Sequence, residues 1–147
     1  LTVLDAYAVL AYVKGEPAGV HVRALLQGGD AALPSVGVGE ALDHLIRIVG
    51  ADEEEAALDL AQLGLLDGLP VSADVGAAAG RLRARRYHRS RCAVSLADCV
   101  AAETARWRAE PLATSDPHLL DVCQADGIAR LVLPQSDGSV WSPSETT

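Results

Sequence analysis

The chain has 147 residues, a formal net charge of −8 and a composition that is half apolar, with no Phe. That length fits one domain with a substantial core built from Ala, Val, Leu and Ile, and nothing in the composition reads as disordered overall. The acidity argues against a general nucleic-acid coat protein, so contact with a polyanion requires a local basic patch or metal ions. Cys92, Cys99 and Cys123 are odd in number and form no C-x-x-C pair, which argues against a disulfide framework or a zinc knuckle and fits a reducing cytoplasm. No apolar run reaches the roughly 18–20 residues of a membrane span. The opening LTVLDAYAVLAYVKGEP lacks a basic start and is interrupted by Asp5, so it reads as strand and helix and not as a signal peptide.

In chain order, TVLD at 2–5 predicts a buried strand and 6–14 a helix, punctuated by Gly15 and Pro17. A second helix runs to about Gln27 and stops at Gly28-Gly29. AALP at 31–34 predicts a short strand, and Ser35 opens a helix to about Val49, stopped by Gly50. Residues 52–66 predict a helix with Asp52 as N-cap and Glu53, Glu54 and Glu55 in the first turn, where the helix dipole favours negative charge. LPVS at 69–72 reads as a weak strand and 73–89 as a helix rich in Ala and Arg. Ser95 starts a helix ending near Ala109. PLAT at 111–114 is a strand, 116–126 a helix closed by Gly127, and ARLVLP at 129–134 the last strand. The segment 135–147 reads as a mobile or partner-docking tail, leaving 1–134 as the domain. Strand–helix alternation of this kind predicts an α/β fold, with a mainly parallel central sheet flanked by helices on both faces. Ligands in such folds bind beyond the carboxyl ends of the strands.

Four carboxylates fall where that edge would be. Asp5 closes the first strand, and Asp116 follows the PLATS strand. Asp98 lies in the first turn of the helix beginning SLADC. Glu40 interrupts the small, apolar stretch SVGVGEALDHLI. Each also has an ordinary structural reading. Ser95 and Asp98 form a capping box with Asp in place of Glu, and Asp116 before Pro117 is a ready N-cap. Together they suit a hard divalent cation such as Mg²⁺ or Mn²⁺, which prefers carboxylate and water oxygens and offsets the repulsion of clustered acids.

With these residues in view, the chain resembles the PIN-domain family, and within it the small VapC-type toxins, from Val3 to Pro134. VLDAYAVLAYVKGEP resembles the family's first strand and helix, with Asp5 as first acid. PSVGVGEALDHL resembles the segment carrying the family's glutamate, here Glu40. SLADCVAAETA resembles its most telling stretch, with Asp98, and PLATSDPHL the strand-end motif, with Asp116. One departure is Ala6, where many relatives carry Ser or Thr. Ser115 fits the hydroxyl often found before the last acid. The resemblance implies a three-layer α/β/α fold and a metal-dependent endoribonuclease. Asp5 and Asp98 are its principal ligands for one or two Mg²⁺ or Mn²⁺ ions, and Glu40 and Asp116 complete the site directly or through waters. The implied chemistry is hydrolysis of an RNA phosphodiester by an activated water attacking in line. The resemblance also implies a homodimer and a cognate VapB-like antitoxin that occupies and silences the site.

Six of the twelve basic residues lie between Arg81 and Arg91. Arg85, Arg86, Arg89 and Arg91 are candidate RNA contacts, since Arg pairs bidentately with phosphate, and Tyr87 is a candidate base platform. The equally weighted alternative is a solvated helix face whose basic end complements the dipole. His44 shares a helix face with Glu40 and reads as a surface or packed histidine, and Glu16 as a turn residue near the cleft rim. Two competing functions are a non-catalytic module that binds RNA or a partner, and an aspartate-based phosphatase or phosphoacceptor using Asp5. The latter lacks a second acid at Tyr7, and the lone Lys14 falls early in the chain. No G-x-G-x-x-G follows the first strand, which disfavours a dinucleotide-binding enzyme.

Overall fold

In a computed structural model the described residues, 1–144, form the α/β arrangement expected of the alternating pattern. Four short strands, β1 (Thr2–Leu4), β2 (Ala31–Ala32), β3 (Leu112–Thr114) and β4 (Arg130–Val132), make one sheet in the order β2-β1-β3-β4. All three pairings are parallel; Val3 sits beside both Ala32 and Leu112, and Ala113 beside Leu131. The helices are α1 (Ala6–Val13), α2 (Gly19–Gln27), α3 (Ser35–Asp43), α4 (Glu53–Gln62), α5 (Ala73–Arg86), α6 (Leu96–Arg108) and α7 (Pro117–Asp126).

Successive strand residues face opposite sides of the sheet, and the core divides accordingly. Val3 and Leu112 pack with α5, α6 and α7 through residues such as Leu82, Val100, Leu119 and Val122. Leu4 and Ala113 pack with α1 to α4 through Val9, Val22, Ala41 and Leu60. The sheet is thus covered on both faces, as all-parallel sheets require. The chain leaves β1 for β2 on one side, then crosses to β3 on the other. The reversal puts a crevice at the carboxyl ends of β1 and β3, where such sheets bind ligands.

Several element ends differ from expectation. LPVS is not a strand: only Leu69 bridges, to Pro34, with Leu69 N–H donating to Leu33 O at 2.8 Å. Pro70 has no N–H to extend a ladder. Gly68 packs so closely that an added Cβ would sit 2.7 Å from Leu33 O. The third helix passes at His44–Ile48 into a π-helical turn, and the fourth ends at Gln62, before Gly64 at φ +71°. Helix α5 stops at Arg86, three residues early. His88 and Cys92 then close a small loop by paired backbone hydrogen bonds of 2.9 and 3.0 Å.

The three cysteines are free thiols, and among the described residues no helix is long and apolar enough to cross a membrane. In the tail, Trp141 Nε1 donates to Asp121 Oδ1 at 2.9 Å and the Arg130 guanidinium lies 5.2 Å from the indole centre. Gln124 Nε2 donates to Ser144 O at 3.3 Å. The remainder of the tail, 145–147, lies outside the described residues.

Candidate metal centre

The four acids expected at the sheet edge line two cavities that share Glu40 and Asp98. An open cleft of about 430 Å³ is lined by Glu40, Asp98 and Asp116, with Tyr7, Lys14, Glu16, Ser95 and Ser115 among its other walls. Behind it a narrow void of about 10 Å³ is bordered by Asp5, Glu40 and Asp98, room for about one water-sized sphere.

Three of the acids also cap helices. Asp5 follows β1 and is the N-cap of α1, its Oδ1 accepting from Ala8 N–H at 2.8 Å. Asp116 is the N-cap of α7, with Pro117 at the first helical position, and its Oδ1 accepts from His118 N–H at 2.9 Å. Ser95 and Asp98 form the reciprocal capping box: Asp98 N–H donates to Ser95 Oγ at 3.0 Å and Ser95 N–H to Asp98 Oδ2 at 2.9 Å. The structural and functional readings of these residues are compatible. Capping uses one oxygen of Asp98 and one of Asp116, and it aims the positive ends of α1, α6 and α7 at the carboxylates. Glu40 projects from α3 and is half-buried.

Burial and mutual repulsion hold the group in tension. Asp5 is pushed up to about 7, first by burial, with the charges of Asp98 and Asp116 adding to the rise and the Thr114 and Ala8 hydrogen bonds opposing it. Burial also raises Asp98, with Asp116 adding and the Ser95 N–H opposing. Glu40 is raised by burial and then by Asp98 and Asp43.

Thr114 is the residue that sequence reasoning missed. Its hydroxyl donates to Asp5 Oδ2 and accepts from Asp116 N–H at 3.1 Å, tying the ends of β1 and β3 together. It supplies a hydroxyl to the first acid where Ala6 cannot. Ser115, the expected hydroxyl, lines the cleft instead, with no hydrogen bond among the described residues. In the sequence Thr114 only ends the PLAT strand; its reach to Asp5 follows from β3 lying beside β1. Glu16 does line the cleft, beside Lys14 at 3.4 Å. Asp43 pairs with Arg47 at 2.9 Å, and His44 meets the Tyr7 ring.

In the basic segment, Arg86 is engaged by Asp126, its Nη2 3.1 Å from Oδ1. Arg85, Arg89 and Arg91 are exposed and make no ion pair among the described residues. Tyr87 lies under the Arg83 guanidinium at 4.3 Å.

The donor set matches a hard divalent ion: four carboxylates and no thiolate. Among the described residues, no group of three or more His, Cys, Asp or Glu side chains is placed to hold a metal ion.

The PIN domain family matches this chain over residues 2–125. Among solved structures, the fold is similar to the crystal structure of FitAcB from Neisseria gonorrhoeae, with a TM-score of 0.63 at 18% identity, covering 88% of this chain and 96% of that one. No curated protein matches by sequence. With a match spanning most of its length, the chain belongs to the PIN-domain family, whose members are generally nucleases and typically bind divalent metals.

Proposed function

We propose that this protein is a Mg²⁺- or Mn²⁺-dependent endoribonuclease, the toxin of a VapBC-type toxin–antitoxin pair. It works as a cytoplasmic homodimer with residues 1–134 as the catalytic domain. The observation that carries this reading is the placement of Asp5, Glu40, Asp98 and Asp116 along two cavities that share Glu40 and Asp98 at the sheet's switch point. These four come from separate segments of the chain, and an acidic protein has little other reason to gather them.

Asp5 and Asp98 are the principal metal ligands, and Glu40 and Asp116 complete the site. A divalent ion bound there lowers the pKa of a water and offsets charge on a phosphate in transfer. Around it the chain's own groups set positions. Thr114 fixes the Asp5 carboxylate and Ser95 fixes Asp98, leaving Asp98 Oδ1 and Asp116 Oδ2 free of hydrogen bonds from the described residues. Such supporting partners orient ligands as much as the ligands themselves do. The exposed Arg85, Arg89 and Arg91 supply phosphate contacts that the acidic remainder of the surface does not; Arg86, held by Asp126, contributes through the same segment's shape. The antitoxin and the homodimer follow from the resemblance of the four acid-bearing motifs to VapC-type toxins.

The deciding experiment incubates a total RNA pool with the protein in Mg²⁺, Mn²⁺ or chelator and sequences the fragment ends. Cleavage is expected with either metal and lost in chelator, and Asp98→Asn is expected to abolish it while the circular dichroism spectrum stays native. Undiminished cleavage by Asp98→Asn overturns the assigned centre. A calorimetric Mn²⁺ signal that vanishes in Asp5→Asn separates this reading from a binding-only module, and a covalent aspartyl-phosphate would instead favour a phosphatase.

A further inference from the structure

Tyr7 is a large ring left 52% exposed, although it sits in the first turn of α1, two residues beyond the buried Asp5. It is the one aromatic side chain among the described residues that line the cleft, which it shares with Glu40, Asp98 and Asp116. Of the other rings, Trp107 is exposed on α6 and does not line the cleft, and the rest are occupied. Tyr12 packs against the core, Tyr87 lies under Arg83, and Trp141 lies on Arg130 and Asp121. The Tyr7 hydroxyl makes no hydrogen bond among the described residues, so nothing polar accounts for its position. The ring is nevertheless held. The half-buried His44 imidazole meets it at 76° with centroids 6.2 Å apart. Lys14, the only lysine in the chain, brings Nζ to 3.5 Å from His44 Nε2 and 3.4 Å from the half-buried Glu16 carboxylate, and lines the same cleft as its only cationic side chain among the described residues.

We infer that Tyr7, braced by His44 and flanked by Lys14, forms a subsite that stacks one unpaired base of single-stranded RNA beside the carboxylate centre, with Lys14 on the neighbouring phosphate. This rests on the ribonuclease reading. An exposed ring at the wall of a polar cleft, in edge contact with an imidazole, offers a base an aromatic surface for stacking, and stacking tolerates any base. A paired base has both faces covered by its neighbours in the duplex, so only loops, bulges and ends can present one here. The carboxylates repel phosphate, and Lys14 is the nearby group that attracts it. The substrate class is therefore unpaired RNA segments, with cleavage placed at a fixed offset from the stacked base.

The test uses short single-stranded RNAs carrying 2-aminopurine at successive positions, bound to the full chain in chelator so that nothing is cut. Wild type is expected to change the fluorescence at one position. Tyr7→Leu is expected to lose that change and bind about tenfold more weakly, while Tyr7→Phe keeps both. Lys14→Gln is expected to lower the log–log salt slope of binding by about 0.7. Wild-type binding and fluorescence in Tyr7→Leu, with a native circular dichroism spectrum, overturn the subsite, as they would if the ring instead receives a partner protein's side chain. The two readings separate cleanly. Metal-dependent cleavage with an unaffected Tyr7→Leu sinks the subsite alone. A position-specific signal with no cleavage in any metal sinks the nuclease reading and leaves a stacking site. No RNA binding by the wild type overturns the subsite outright.

Discussion

The hydroxyl of Thr114 is the smallest group on which the site depends. It donates to Asp5 Oδ2 and accepts from Asp116 N–H, so Thr114→Val removes a donor and keeps the shape of the strand. Loss of such a supporting partner typically costs about 10–100-fold in metal affinity or activity, and Mg²⁺-activation curves of the variant are expected to shift by that much. Losing that bond also raises Asp5 further, because the bond opposes the rise. The acids leave a second signature in the metal-free protein. Asp5 lies near 7 in the folded chain against an ordinary 3.8, and Asp98 and Glu40 are raised as well. Between those values the folded chain keeps a proton that the unfolded chain has released, so unfolding free energy falls as pH rises. Asp5's contribution is therefore fully present below about pH 4 and lost as pH rises through about 7. Thermal unfolding in chelator is expected to show a midpoint that declines from pH 5 to pH 8 more steeply in wild type than in Asp5→Asn. Equal slopes would mean that Asp5 is not held protonated.

At the scale of elements, helix ends do most of the placing. The places of Asp5, Asp98 and Asp116 at strand ends and helix starts, and of Glu40 within an apolar stretch, were legible in the sequence, and so was the capping by Asp98 and Asp116. What stayed hidden depends on approaches between distant segments. Thr114 looked like the end of a strand until β3 lay beside β1. Tyr7 drew notice only as the position where a phosphatase would carry a second acid, and its exposure at the cleft emerged with the fold. The 69–72 segment looked extended, yet Pro70 and the tight packing of Gly68 allow only one bridge. The Arg81–Arg91 stretch was ambiguous because sequence cannot show which cations are already paired. Asp126 engages Arg86 at 3.1 Å and lies 3.7 Å from Arg106, joining α5, α6 and α7. Arg86→Ala is thus expected to lower stability, measured by urea unfolding, with little change in the salt slope of RNA binding. Arg89→Ala and Arg91→Ala are expected to leave stability alone and reduce that slope by about 0.7 each. The reverse pattern would place the phosphate contacts on Arg86.

Over the whole molecule, the fold class was the most legible property, since short apolar runs alternating with helices leave few arrangements other than a covered parallel sheet. The strand order was not, because pairing of β1 with both β2 and β3 is decided by packing across the two faces. With a net charge of −8 and several acids close together, a divalent ion bound among them would offset their repulsion. Ligand that binds only the folded form raises apparent stability by about 2.7 kcal/mol at a hundred times its Kd. Saturating Mn²⁺ is therefore expected to raise the melting temperature of wild type by several degrees, and to leave that of Asp98→Asn nearly unchanged, in differential scanning fluorimetry.

The indole of Trp141 is fastened between Asp121 and Arg130, and a few residues upstream of it Pro134, Gln135 and Ser136 form one wall of the crevice. The chain holds two tryptophans, and the other, Trp107, faces solvent on α6. Replacing Trp107 with Phe would leave a single emitter whose colour and polarisation report whether this strap is latched. The molecule thus carries its own optical gauge of how its tail is seated beside that wall, readable without any attached dye.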